Sequence, residues 1–396
     1  MAPPRRPPEL MDDAVIEILL RLPPEDPACL ARTSLVCKPW RRLLSDPGFP
    51  RRYREFHGAA PLLGFFSKTR ASVSGRTIYR FVPTTATPPF PLPPLDPWSL
   101  GCVLDCRHGR VLLYWLDKAV IRLAVWDPIA GDRKVLPGLS RRRIPSGSCN
   151  GAVLCSARRS DCNHLDCHGG PFRVVLLGSG KWGAGTQGAG ACVYSSEAGT
   201  WTTPASVHFR ESLNMDCWSR LTLVGDDDIY FRIDICGKII KYDLGNHCLS
   251  VIEDPPFRCY YNSVLMATEN ALLGSAVIKD SRLQLWSREV KSEGAAGWVQ
   301  RRVIELETLF PDSHPFNREP MIHFADGLGM IVFVSMDAGL FSIDVKSWRV
   351  KKVSEPMDCY KCIPFRSFYT PDFVTRRFLI VGSVISHHEH CNACMC

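Results

Sequence analysis

The most informative stretch of the chain reads Leu10-Met-Asp-Asp-Ala-Val-Ile-Glu-Ile-Leu-Leu-Arg-Leu-Pro-Pro24 and, further on, Leu35-Val-Cys-Lys-Pro-Trp-Arg-Arg-Leu-Leu-Ser-Asp-Pro-Gly-Phe49. It predicts three short helical segments that carry apolar residues on more than one face. A module of this size has too little interior to bury all of those side chains. Part of its apolar surface is therefore predicted to contact another protein.

The first helix is predicted from a clear start signal and a clear stop signal. Asp12 and Asp13 suit a helix N-terminus, where carboxylates meet unpaired amides and the positive end of the dipole. The apolar residues that follow repeat with the spacing of one helical face, namely Val15, Ile18, Leu19 and Leu22. Ile16 and Leu20 lie off that face. Pro23-Pro24 ends the helix because proline cannot donate to its hydrogen-bond ladder.

Two further helices are predicted between residues 26 and 49. Asp26-Pro27 supplies an N-cap followed by proline at the first helical position, and a helix is expected to run to about Leu35. A third segment begins near Lys38-Pro39, carries Trp40, Leu43 and Leu44, and ends at Asp46-Pro47-Gly48. Residues 51–57 are predicted to continue in a short helix.

In order and spacing, these residues resemble the F-box of plant F-box proteins. The similarity covers about residues 8–50 and is carried by Leu10 and by the runs Glu17–Pro23, Leu35–Trp40 and Leu43–Phe49. Many F-boxes read Leu-Pro at the start, whereas Met11 follows Leu10 here. The missing proline should alter entry into the first helix without removing its apolar face.

The resemblance implies that this module docks onto the Skp adaptor of a cullin-based ubiquitin ligase through an apolar helix-in-groove surface. The residues it nominates for adaptor binding are Leu10, Ile16, Leu19, Leu20, Leu22, Pro23, Leu35, Val36, Trp40, Leu43 and Leu44. The sequence does not divide them between the internal core and the interface.

Length and composition predict an ordinary globular protein with an α+β, multidomain organisation. A chain of 396 residues, 45% hydrophobic and 22% charged, is long for one core, so two domains of unequal size are expected. No apolar run is long enough for a membrane span. Residues 1–7 are predicted to be a disordered lead-in, and the lack of a secretory signal there favours the cytoplasm or nucleus. The 18 cysteines are then expected to be mostly reduced thiols.

The net charge of +8 does not by itself predict nucleic-acid binding. Arginine clusters occur at 51–54 and 141–143, but a nucleic-acid surface needs basic residues gathered on one face. We interpret these clusters as solvated basic segments and expect no nucleic-acid partner.

From residue 58 to 396 the pattern predicts a mainly antiparallel β domain. Short apolar runs at 62–66, 78–82, 111–115 and 174–177 are typical of strands. A strand–turn–strand pattern recurs from Val125, Val193, Ile240, Leu285 and Phe341, and the middle spacings match a propeller blade of four strands. The short runs before these repeats, at 109–113, 151–154, 228–231, 270–273 and 327–333, are predicted to be inner strands. We predict a kelch-like or F-box-associated β-propeller of about six blades, with a β-sandwich as the alternative and a flexible tail at 387–396.

One local cluster has metal-binding side chains, Cys162, His164, Cys167 and His168, with Cys149 and Cys155 just upstream. Thiolate and imidazole are zinc ligands. Structural zinc sites, however, usually staple two separate chain segments, whereas these four lie in a single tight loop. The sequence therefore favours a loop without metal, and we predict neither a metal nor a cofactor.

The expected function is that of a non-catalytic substrate receptor in a Skp–cullin–F-box ligase, as the resemblance implies. The F-box would bind the Skp adaptor and, through it, a cullin, while the β domain would bind a target protein. No nucleophile elbow, Walker loop, dinucleotide fingerprint or HExxH motif is present. The alternatives are an F-box adaptor outside ubiquitination and a propeller that binds a small molecule or sugar.

Overall fold

The computed structural model describes residues 10–70, 77–85, 90, 102–144, 148–157, 161–165, 167, 169–182, 186–209, 222–224, 227–233, 238–256, 262–290, 296–310, 320–326, 331–356 and 361–368. The predicted lead-in at 1–7 and tail at 387–396 lie outside these residues. None of the helices in the described part of the chain is long and apolar enough to cross a membrane.

Four helices form the N-terminal module, here residues 10–57: α1 (Asp12–Leu20), α2 (Pro27–Ser34), α3 (Lys38–Leu44) and α4 (Phe49–His57). They agree with the four predicted segments, and their ends follow the predicted signals. The Asp26 carboxylate accepts a hydrogen bond of 3.1 Å from the Ala28 amide at the start of α2. An ion pair of 2.6 Å between Asp12 and Arg42 joins α1 to α3.

The buried face of α1 differs from the predicted one. Val15, Leu19 and Leu20 are buried, whereas Ile18 is 46% exposed. The helix is short and is covered on two sides by α3 and α4, which brings Leu20 inside and leaves Ile18 facing away. The core of the module is formed by Val15, Leu19, Leu20, Leu30, Leu43, Leu44, Phe49 and Tyr53.

The rest of the described chain forms 25 strands and one short helix, α5 (Leu306–Leu309). The strands are β1 (Leu62–Arg70), β2 (Thr77–Pro83), β3 (Cys102–Arg107), β4 (Arg110–Asp117), β5 (Val120–Trp126), β6 (Arg133–Val135), β7 (Leu139–Ser140), β8 (Ser148–Cys155), β9 (Phe172–Trp182), β10 (Thr186–Ser195), β11 (Thr200–Trp201), β12 (Ala205–Phe209), β13 (Thr222–Val224), β14 (Asp228–Ile233), β15 (Lys238–Asp243), β16 (Cys248–Glu253), β17 (Ser263–Ala267), β18 (Leu273–Lys279), β19 (Arg282–Val290), β20 (Ala296–Glu305), β21 (Met321–Asp326), β22 (Ile331–Met336), β23 (Gly339–Asp344), β24 (Val350–Ser354) and β25 (Lys361–Arg366).

These strands pair into six antiparallel sheets, which are the blades of a β-propeller. Blade 1 has the order β25-β1-β2, blade 2 contains β3–β7, blade 3 β8–β12, blade 4 β13–β16, blade 5 β17–β20 and blade 6 β21–β24. The ring is closed by β25, which pairs with β1 and also contacts β3 and β21. The predicted six-bladed propeller is confirmed.

Each pair of neighbouring blades shares its own hydrophobic cluster. The clusters join blades 1 and 2, 2 and 3, 3 and 4, 4 and 5, 5 and 6, and 6 and 1. A β-sandwich would instead have two sheets facing one common core, so the sandwich alternative is wrong. Central strands within the blades, such as β18, are buried on both faces, which explains their nearly continuous apolar runs.

The repeated sequence pattern corresponds to the outer hairpin of blades 2, 3, 4 and 6, and the repeat at Leu285 spans β19 and β20 of blade 5, whose connecting residues 291–295 lie outside the described residues. Its turns begin at Asp127, Ser195, Asp243 and Asp344, whose side chains accept hydrogen bonds from backbone amides of the turn. The fourth residue after each has a positive φ, as in Gly131 (79°), Gly199 (71°), His247 (51°) and Trp348 (58°).

The runs that we assigned as inner strands are mostly not innermost. Those in β4, β14, β18 and β22 are the second strands of their blades, and of the assigned runs β8 alone is innermost. The actual innermost strands of blades 2, 4, 5 and 6 are the less conspicuous β3, β13, β17 and β21.

Candidate functional site

Exposed apolar side chains are concentrated on the N-terminal module. Among the described residues twelve large hydrophobic side chains are exposed, and six of them belong to this module: Leu10, Met11, Ile18, Leu35, Val36 and Phe56. Leu10 is 62% exposed, Leu35 70% and Val36 64%. Because exposed apolar area favours association with a partner, this surface is the first candidate site.

The eleven residues predicted to bind the adaptor separate into three groups. Leu10, Pro23, Leu35 and Val36 are exposed. Ile16, Leu22 and Trp40 are half-buried against the core of the module. The remaining four, Leu19, Leu20, Leu43 and Leu44, are buried within that core, so they shape the surface from behind and are not themselves accessible.

Sequence reasoning did not select three of the exposed residues, Met11, Ile18 and Phe56. The spacing of Ile18 predicts a buried side chain, but the structure exposes it. Met11 departs from the F-box pattern, yet at 78% exposure it adds apolar area to the same end of α1. Phe56 lies on α4, in the predicted short helix that extends past the residues that carry the F-box similarity.

The N-terminal module packs directly on the propeller. Phe368, just after β25, belongs to the module core, and its ring lies 6.3 Å from that of Tyr53. Tyr53 donates a hydrogen bond of 2.8 Å to the Leu22 carbonyl, and burial raises the pKa of its phenol. Leu165, from the β8–β9 connection, also packs against this core. The core of the module thus contacts the propeller through both Phe368 and Leu165.

The β8–β9 connection holds the second candidate site, here called the Cys–His cluster: Cys155, Cys162, His164 and Cys167. Their ligand atoms all lie within 4.8 Å of one another. His164 has a φ of 59°, and its amide hydrogen bonds to the Cys162 sulfur at 3.3 Å. Of the residues proposed from sequence, His168 lies outside the described residues, and Cys155 takes the fourth position.

Two residues of the neighbouring blade 2 line the cluster. His108, in the β3–β4 turn, lies against His164 with ring centroids 4.6 Å apart and the ring planes tilted by 41°. Burial, followed by the proximity of His164, lowers the pKa of His108 to about 3, so its ring is neutral at physiological pH. Arg110 donates hydrogen bonds to the carbonyls of Cys167 and Gly170.

Burial also raises the pKa of the Cys167 thiol, and the neighbouring Cys155 and Cys162 sulfurs raise it further. The thiols of Cys155, Cys162 and Cys167 are therefore so close that ionisation of one makes ionisation of the others less favourable. No sequence pattern pointed to Arg110, because it is remote in the chain and the propeller ring is what brings blade 2 beside this connection.

The basic clusters do not gather on one surface element. Arg51 and Arg52 are exposed on α4, but Arg54 on the same helix is buried. Arg141, Arg142 and Arg143 are exposed in the turn after β7. The expectation that nucleic acid is not a partner stays a prediction.

Two family matches cover most of the chain. Residues 8–52 match the F-box domain, and residues 102–373 match the family described as F-box protein AT5G49610-like, beta-propeller. That description names a propeller and not a kelch repeat, so the kelch-like character stays a prediction.

A protein of Arabidopsis thaliana named as an F-box protein, At3g16210, is 30% identical over 128 residues. The match covers 32% of this chain and spans 33% of that relative's length.

Solved structures resemble the chain only weakly. A DUF4784 family protein from Bacteroides caccae has a TM-score of 0.41 at 11% identity and covers 77% of this chain and 74% of its own. The WD40 domain of SCAP from fission yeast has a TM-score of 0.35 at 13% identity, over 64% of this chain and 51% of its own. The propeller assignment rests on the strand topology and not on these similarities.

Proposed function

The chain belongs to the F-box protein AT5G49610-like, beta-propeller family, and from that premise we propose that it is a substrate receptor of a Skp–cullin–F-box ubiquitin ligase. The N-terminal module binds a Skp-type adaptor and, through it, a cullin. The propeller binds a target protein. The chain acts in the cytoplasm, the nucleus or both.

The observation that carries the adaptor part of the proposal is the exposed apolar surface within the F-box match. Leu10, Leu35 and Val36 are each more than half exposed. Burial of apolar area is the main favourable term in most protein association, so three such exposed side chains are suited to anchor a helix-in-groove interface. The buried Leu19, Leu20, Leu43 and Leu44 keep that surface in shape.

The proposed role needs no bond chemistry in this chain. A receptor can hold a target's lysines beside a conjugating enzyme that carries ubiquitin as a thioester. This raises the effective concentration of the lysines and accelerates the transfer of ubiquitin to them. The direct packing of the module on the propeller, through Phe368 and Leu165, supports such a role because a bound target is then held at a defined place relative to the adaptor.

The test is capture of a Skp-type adaptor by the full chain and by a double variant, Leu35→Asp with Val36→Asp. Both side chains are exposed, so the change should leave the fold intact and weaken adaptor binding by roughly tenfold or more, as expected for apolar anchors of an interface. Val290→Asp is the matched control, since Val290 is 74% exposed on β19 of the propeller. Leu19 is unsuitable for this test because it is fully buried.

Equal adaptor affinity of the double variant and the wild-type chain, measured by calorimetry, would refute the proposed interface. Adaptor binding without co-purification of a cullin, and without ubiquitylation of a bound protein, would favour an F-box adaptor outside ubiquitination. A small-molecule ligand whose binding survives deletion of residues 1–57 would favour the alternative of a ligand-binding propeller.

A further inference from the structure

The Cys–His cluster joins two separate pieces of the chain. Cys155 ends β8, whereas Cys162, His164 and Cys167 lie in the connection that follows. The base of this connection is closed by a hydrogen bond of 3.1 Å from the Ser156 amide to the Pro171 carbonyl. A group bound by all four side chains would therefore staple the connection to the end of a buried strand, which is the usual task of a structural metal.

The distances suit a tetrahedral zinc ion. With Zn–S near 2.3 Å and Zn–N near 2.0 Å, a tetrahedron sets a sulfur and a nitrogen ligand about 3.6 Å apart and two sulfurs about 3.8 Å apart. The Cys167 sulfur and His164 Nδ1 are 3.7 Å apart. The widest separation within the cluster, 4.8 Å, needs a contraction of about 1 Å on that scale.

The surroundings match the charge of such a site. Three thiolates and one zinc ion carry a net charge of −1. The Arg110 guanidinium, 3% exposed, lies beside the cluster and donates to the Cys167 carbonyl at 2.9 Å. Its Nη1 has no hydrogen-bond partner within the described part of the chain. A buried cation of this kind is stabilised by a neighbouring anionic centre.

We propose that Cys155, Cys162, His164 and Cys167 bind one zinc ion as a closed structural site. Binding releases the three thiol protons to solvent and leaves no open position on the metal, so the site is not catalytic. The ion fixes the connection that carries Leu165, and Leu165 packs on the core of the N-terminal module. The zinc site therefore helps to hold the module on the propeller.

The test is the zinc content of the full chain, purified with a histidine-free tag under reducing conditions without added metal. Elemental analysis by mass spectrometry should find about one zinc ion per chain. The zinc content should fall at least tenfold in the Cys155→Ser variant. Cys248→Ser is the control, because Cys248 is an exposed thiol outside the cluster and its loss should leave the zinc content unchanged. His164→Cys should retain zinc with four thiolates.

The tail contains a second set of metal-binding side chains, with His387, His388, His390, Cys391 and Cys394. A double change, Cys391→Ser with Cys394→Ser, should leave the zinc content unchanged. Loss of zinc in this variant and not in Cys155→Ser would assign the metal to the tail and overturn the proposal.

A measurement on the wild-type chain covers the case in which Cys155→Ser fails to fold. Cobalt exchanged for zinc should give the intense visible bands of a tetrahedral centre together with thiolate charge-transfer bands, and a mercurial reagent should release zinc as thiols react. Absence of zinc from the reduced chain, or a disulfide between Cys155 and Cys167 in its place, would overturn the proposal. None of these outcomes depends on adaptor binding, so the zinc site and the proposed function can fail separately.

Discussion

A buried arginine shows how single residues hold neighbouring blades in register. Arg232 of blade 4 pairs with Asp254 at 2.9 Å, and both side chains are at most 2% exposed. The same guanidinium donates to Ser263 and Ser275 of blade 5, at 2.9 Å in the second case. Burial raises the pKa of Asp254 although Arg232 opposes the shift, so Arg232 favours the ionised form of this buried carboxylate.

Arg232→Met should therefore strongly destabilise the propeller. It leaves Asp254 as an uncompensated buried carboxylate and removes a donor to the buried Ser275 hydroxyl and to the half-buried Ser263 hydroxyl, for an expected loss of about 3 to 5 kcal/mol in the free energy of unfolding. Urea denaturation followed by tryptophan fluorescence measures the change.

The matched control is Arg282→Met, which breaks a half-exposed ion pair of 2.7 Å with Glu305 and should cost less than about 1 kcal/mol. Adding Asp254→Leu to Arg232→Met should restore much of the lost stability, because no buried charge then remains. Equal effects of Arg232→Met and Arg282→Met would contradict this account.

At the scale of elements, the sequence predicted best those features that are local in the chain. The helices of the N-terminal module follow from caps and prolines within a few residues. The outer hairpins follow from the repeated turn at Asp127, Ser195, Asp243 and Asp344, where one side chain caps its own turn.

The missed features depend on contacts that are distant in sequence. Arg110 reaches the Cys–His cluster from another blade. Ile18 has the spacing of a buried residue, but the packing of α3 and α4 on α1 decides which face is covered. Local patterns cannot encode these choices, since each depends on what the completed fold brings alongside.

The turn aspartates predict a pH dependence for the outer hairpins. Hydrogen bonds, first from the Asn246 amide and then from its side chain, lower the pKa of Asp243 below its ordinary value. The ionised form is thus favoured by folding, and this contribution is present at neutral pH and is lost as the pH falls through the folded-state pKa.

Asp243→Asn should consequently destabilise the protein slightly at pH 7, by less than about 1 kcal/mol, and the difference from wild type should vanish in acid. Thermal unfolding across the pH range measures it. Glu197→Gln removes an exposed carboxylate from the equivalent turn of blade 3 and controls for net charge. A wild-type-to-variant difference that grows toward low pH would have the wrong sign for this interpretation.

For the whole molecule, the decisive feature is the strand that closes the ring. β25 comes from the far end of the described chain and pairs with β1, the first strand after the N-terminal module. Two residues later, Phe368 enters the core of that module. One segment therefore completes the propeller and anchors the module, which couples the stability of the two parts.

This coupling predicts that a substitution in β25 destabilises both the propeller and the N-terminal module. Phe365 is fully buried between blades 1 and 2, with ring centroids 6.3 Å from Phe66 and 5.5 Å from Phe90. Phe365→Ala should reduce the free energy of unfolding by about 3 to 5 kcal/mol, and hydrogen exchange should rise both in β1 and in α4.

Phe56→Ala is the matched control, because Phe56 is 49% exposed on α4 and its truncation should change neither stability nor exchange in β1. The exchange pattern distinguishes two physical situations. If β25 closes the ring and anchors the module together, β1 and α4 lose protection in parallel as Phe365→Ala weakens the strand. If α4 keeps its protection while β1 loses it, Phe368 holds the module independently of ring closure, and the two parts unfold as separate units.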